Sequence, residues 1–137
     1  MQCHIDKVVR AMVNSKANGA RGERMFRDLC REHGWSGVRR TQQYCGNTGD
    51  AADVVGLPGI HVEVKNVERL SLTDAMAQSV HDTAEEGKGN LPIVASKKNR
   101  QGWIISMRAE DWFKLYNAWA EEHQQADDNL SHSQAGT

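Results

Sequence analysis

The chain has 137 residues, 39 % of them hydrophobic and 26 % charged, with three cysteines and a formal net charge of −1. That length suits one domain rather than two, and the balance excludes a disordered chain. No apolar run nears the about 20 residues of a membrane span, residues 1–12 hold no signal-type apolar core, and no CxxC pair offers a structural zinc site; a cytoplasmic protein with Cys3, Cys30 and Cys45 as free thiols is expected.

In chain order, residues 1–18 are polar and close on Lys16-Ala17-Asn18-Gly19. They are expected to form a mobile leader, helical if anywhere over 6–12, ahead of a single folded domain at 19–122. From 20 to 33, Met25, Phe26, Leu29 and Cys30 recur at helical spacing until Gly34. Residues 37–44 have the composition of a strand and lead into the loop Cys45-Gly46-Asn47-Thr48-Gly49. Residues 52–56 and 60–66 predict two strands joined by a tight turn at Leu57-Pro58-Gly59. Leu72, Ala75, Met76, Ser79, Val80 and Thr83 make an apolar or small stripe at helical period, ended by Gly87 and Gly89. Two further strands, 91–95 and 103–107, flank a basic turn at 96–102. A helix at 110–120 carries Trp112, Phe113, Leu115, Tyr116 and Trp119, and the polar residues 123–137 predict a disordered tail. The order α-β-β-β-α-β-β-α describes an α/β fold, one mixed sheet flanked by helices.

The chemistry concentrates in Ile60-His61-Val62-Glu63-Val64-Lys65. Side chains alternate along a strand, so His61, Glu63 and Lys65 share one face while Ile60, Val62 and Val64 take the other. Glu63 and Lys65 then stand about 7 Å apart at their Cα atoms. The short turn at 57–59 makes the two strands antiparallel neighbours and puts Asp53 beside Glu63. Adjacent carboxylates repel, and a hard divalent cation reverses that interaction. A lysine beside them suits phosphoryl chemistry, where it orients or deprotonates an attacking water or balances developing charge.

Asp53, nine intervening residues and then Glu63-Val64-Lys65 resemble the signature of the PD-(D/E)xK nucleases, with Ala52 where the signature has proline. Gly22-Glu23-Arg24 on the first helix, the glycine-bearing loop before Asp53 and the Gln78-containing helix after Lys65 are similar to archaeal-type Holliday junction resolvases and their small phage-encoded relatives. The resemblance covers about residues 16–116. It implies a restriction-endonuclease-like fold and a Mg²⁺-dependent endonuclease, with Mn²⁺ as a substitute. Asp53, Glu63 and the Val64 carbonyl would hold the metal, Glu23 would act on a second metal or its water, and Lys65 would orient the nucleophile. It further implies a homodimer acting on branched DNA, a four-way junction above all, and leaving a 3′-hydroxyl and a 5′-phosphate.

Each residue has a plainer reading. Glu63 and Lys65 suit the solvated face of an amphipathic strand, and Asp53 suits a turn cap. Glu23 has Arg27 as an i,i+4 partner, although it lies within about 20° of Cys30 on the helical wheel, where an unpaired carboxylate is costly. Gln78 falls off the apolar stripe, toward solvent, and only the resemblance promotes it. A lone strand histidine is commonly exposed, which leaves His61 without a role. Arg39, Arg40, Lys97, Lys98 and Arg100 are candidates for gripping phosphates. Residues 1–116 carry 17 basic and 14 acidic side chains, a mildly basic body that permits DNA binding. Trp112 and Trp119, seven apart, suit a core or a subunit interface. The competing functions are a flap, nick or sequence-specific duplex nuclease of the same fold, and a non-catalytic DNA-binding module.

Overall fold

The computed structural model describes residues 2–41 and 52–135, with side chains described over 17–41 and 52–131. Its elements follow the expected order: α1 (Gln2–Glu32), β1 (Arg39–Arg40), β2 (Val54–Val55), β3 (Ile60–Asn66), α2 (Leu72–Glu86), β4 (Leu91–Lys97), β5 (Ile104–Met107) and α3 (Ala109–Ala135). The five strands form one mixed sheet in the order β1-β2-β3-β4-β5. β1 and β2 pair antiparallel, as do β2 and β3, whereas β3 and β4 run parallel. Parallel neighbours need a long crossover, and here α2 supplies it.

β3 and β4 are buried on both faces over 61–64 and 92–95. The faces of β3 have different covers. Asn66, on the Val62–Val64 side, meets α1 at Gly22, where an added Cβ would lie 2.6 Å from the asparagine Cβ. His61, on the other side, bonds Glu86 of α2. The core is made of Val38, Val54, Val62, Ile93 and Val94 with Phe26 and Cys30 from α1, and the Phe26 and Trp103 rings pack 5.2 Å apart. Cys30 is a free, buried thiol; the side chains of Cys3 and Cys45 lie outside the described residues.

α2 packs through small residues, Ala75, Ser79 and Thr83, and Ser79 donates its hydroxyl to the Ile93 carbonyl at 3.0 Å. Of the larger members of the expected stripe, Leu72 is instead exposed, and Met76 and Val80 are half-buried. Ser71 accepts the Asp74 N–H at the start of the helix, and Gly87, at φ 63°, ends it in the left-handed conformation that glycine adopts without strain.

Both ends differ from expectation. α1 begins at Gln2 rather than near residue 20, and α3 runs to Ala135 through the stretch expected to be disordered. Residues 2–32 and 109–135 contain no proline, a single helical glycine costs only about 1 kcal/mol, and the Glu, Gln and Ala residues after 120 favour helix in spite of their polarity. Of the strand expected at 37–44, two residues pair as β1; 42–44 and the loop at 45–49 lie outside the described residues. Residues 107–137 form a compact unit distinct from 1–106. Within it, Trp112 and Tyr116 stack at 5.0 Å and Tyr116 lies 6.0 Å from Trp119, all three about half exposed rather than core.

Candidate active site

Val54 pairs with Val62 across β2 and β3, which brings Asp53 opposite Glu63. The Asp53 N–H donates to the Val62 carbonyl at 2.9 Å, and Thr41 donates its N–H and hydroxyl to the Asp53 and Ala52 carbonyls. The Asp53 carboxylate is held from the other side, by the Val64 N–H at 2.8 Å. Lys65 Nζ stands 3.5 Å from Glu63 Oε1. Asp53, Glu63, Val64, Lys65, Glu23 and Gln78 line one cleft of about 640 Å³ at the C-terminal end of β3.

Burial governs the charge state here. Burial raises the Asp53 carboxyl from 3.8 to about 6, aided by the charge of Glu23 and opposed by the Val64 N–H, Lys65 and His61. Burial likewise raises Glu63 from 4.5 to about 7, with Asp53 and Asp82 pushing it up and Lys65 pulling it down. Two neighbouring carboxylates that resist ionising, Glu63 opposed further by Asp53 and Asp53 by Glu23, suit a divalent cation, whose charge would favour both anions.

Glu23 does not pair with Arg27. Arg27 bonds its neighbour Asp28, and Glu23 takes Arg40, which approaches to 2.8 Å through both Nε and a terminal nitrogen. The border position of Glu23 therefore has a cationic partner within the chain, and Arg40 is engaged there rather than free to grip a phosphate. Arg39, Lys98 and Arg100 are exposed, Lys97 is half-buried with its ammonium 3.4 Å from the Lys98 carbonyl, and among these basic segments only Asn99 reaches the cleft wall.

His61 departs most from expectation. It is buried to 1 % exposure because α2 crosses back over its face. Its Nδ1 lies 3.0 Å from Glu86 Oε2, while its buried Nε2 has no hydrogen-bond partner, a state costing about 1–3 kcal/mol. Ligand atoms of His61, Glu63 and Asp82 lie within 4.8 Å of one another. Asp82 and Glu86 were missed, yet the sequence carries a signal for them. Gln78, Asp82 and Glu86 recur every four residues, about 6 Å of helix, close to the about 6.6 Å between alternate residues of a strand. The polar edge of α2 thus keeps step with Lys65, Glu63 and His61 as it runs back along β3.

Fold and cluster together define a small α/β protein with a mixed five-stranded sheet and a candidate acidic/histidine cluster on its central strand. Compared with known proteins, the chain matches no family model and no curated protein. Among the described residues, no helix is long and apolar enough to cross a membrane.

Proposed function

We propose that this protein is a divalent-metal-dependent DNA endonuclease of the PD-(D/E)xK kind, with branched DNA such as a Holliday junction as its substrate. One observation carries the reading: Asp53, Glu63 and Lys65 share one cleft, with Asp53 fixed by the Val64 N–H. A bound Mg²⁺ would supply positive charge to a scissile phosphodiester, and the Asp53 and Glu63 carboxylates and the Val64 carbonyl are the groups to hold it. The Val64 N–H keeps one Asp53 oxygen fixed while leaving the other for the cation. Lys65, tethered to Glu63 by charge, would orient the attacking water and offset the charge that grows on the phosphate oxygens.

The test is incubation with Mg²⁺ and labelled four-way, flapped, nicked and linear DNAs, with chelator controls. Paired, symmetrical cuts in the four-way junction are expected, lost with chelator and restored by Mg²⁺ or Mn²⁺. Cleavage that persists in excess chelator would overturn the mechanism. Equal cutting of linear duplex would move the substrate to the sequence-specific or nick-directed class.

A further inference from the structure

We propose that His61, Glu63 and Asp82 form a binding site for a divalent transition-metal ion of the Zn²⁺ or Mn²⁺ type, beside the Asp53 carboxylate and distinct from it in ligand set. The three side chains already present one ligand atom each within 4.8 Å of the others. The independent sign is His61 itself. It is 1 % exposed, and its Nε2 is buried without a hydrogen-bond partner. Glu86, its own side chain 5 % exposed, engages Nδ1 at 3.0 Å. With Nδ1–H donating to a carboxylate, the lone pair lies on Nε2 and the ring's orientation is fixed, the arrangement that metal-ligating histidines use.

Ligand chemistry selects the ion. Mg²⁺ prefers oxygen donors and keeps its waters, whereas one imidazole with two carboxylates suits Zn²⁺ or Mn²⁺. Glu63 is the hinge of the arrangement, because it lies next to Asp53 on one side and next to Asp82 on the other. Asp82 is half-buried on the edge of α2, so of the three ligands it is the one that meets solvent. Glu63 is shared with the nuclease reading, whereas His61 and Asp82 are not used by it, and the inference stands or falls without any measurement of cleavage.

The experiment is binding of Zn²⁺ alone, by calorimetry, together with pulsed electron spin resonance of the Mn²⁺-loaded protein. One ion per chain is expected, and the Mn²⁺ spectrum should carry the ¹⁴N coupling of an imidazole. Asp53→Asn should keep that coupling. Asp82→Asn should weaken Zn²⁺ binding at least tenfold, and His61→Gln should remove the ¹⁴N signature. His61 is buried, so its variant is checked first by circular dichroism; if it fails to fold, Asp82→Asn decides alone, since that half-exposed side chain is not needed for packing. A wild-type Mn²⁺ spectrum without nitrogen coupling would overturn the site. So would Zn²⁺ affinity unchanged by Asp82→Asn, or a coupling that survives in folded His61→Gln. A protein that cuts no DNA can pass this test, and an active nuclease can fail it.

Discussion

Glu63 has two flanks that treat one buried carboxylate in opposite ways. Toward Lys65 and Asp53, the chain supplies its own compensation: an ammonium at 3.5 Å, and a backbone N–H on the neighbouring carboxylate at 2.8 Å. Toward His61 and Asp82, it supplies another acid and a buried ring nitrogen with nothing to bond. The first flank offsets part of the charge from within the chain, although burial still raises both carboxyls, to about 6 and about 7. The second leaves the His61 Nε2 without a partner within the chain. Polar groups stay buried in folded proteins when they are paired, so the flank with the unpaired nitrogen is the one whose burial the fold alone does not account for, although the paired flank carries the more familiar sequence pattern.

The most severe way to break the comparison is to remove the group common to both flanks. Glu63→Gln is expected to lower Mg²⁺-dependent cleavage by about 10²-fold or more and to remove the imidazole-coupled Mn²⁺ signal. The same substitution should raise the melting temperature of the metal-free protein at pH 8, because glutamine has no charge for burial, Asp53 and Asp82 to oppose. Activity and stability would then move in opposite directions, as at sites that sacrifice stability for chemistry. A parallel fall in both would show that Glu63 serves the fold.

A milder test uses pH. Asp53 and Glu63 both hold protons more tightly when folded, at about 6 and about 7 against 3.8 and 4.5. Their contribution to stability is therefore fully present below about pH 4 and is lost as pH rises through 6 to 7. Wild type and Asp53→Asn should be closest in stability below about pH 4, and the variant should pull ahead as pH rises to 8. Divalent cations compete with the same protons, so the stabilisation by Mn²⁺ should grow across that window. Thermal melts at fixed ionic strength read both effects, and a wild type that gains on the variant as pH rises would contradict the assigned burial.

The smallest expected effects sharpen the contrast by disturbing one flank alone. Gly22 and Gly19 both lie in α1, where alanine is the better helix former by about 1 kcal/mol. A Cβ on Gly19 meets nothing within 4 Å, whereas one on Gly22 would come within 2.6 Å of Asn66 Cβ at the end of β3. Gly19→Ala should stabilise by up to about 1 kcal/mol. Gly22→Ala should destabilise and reduce cleavage, because it pushes α1 and Glu23 away from the cleft, while transition-metal binding at His61 stays within a few-fold. Equal effects of the two substitutions in chemical denaturation would mean that α1 does not pack there as described.

Much of the first flank was legible before the fold was known. Alternation over 60–66 and the turn at 57–59 are enough to set Glu63 and Lys65 on one face and Asp53 alongside. The partner of Glu23 was not legible, since Arg40 lies seventeen residues away while the sequence offered the nearer Arg27. Gln78 was assigned to solvent by its position off the apolar stripe; it is indeed exposed, and it also lines the cleft. The outer ends of α1 and α3 are polar yet helical, because good helix propensity does not depend on apolar content.

What the sequence by itself determined is which side chains share a face, because the period of a strand or helix is a property of the local backbone. It thereby determined the element order, the Asp53–Glu63–Lys65 surface and the small-residue stripe by which α2 closes on the sheet. What only the tertiary structure decided is which of those faces is covered, and by what. α2 returns along β3 with Gln78, Asp82 and Glu86 in step with Lys65, Glu63 and His61, and that passage turns an ordinary strand histidine into a buried, oriented imidazole. Burial and pairing depend on residues far away in the chain, and no local periodicity contains them.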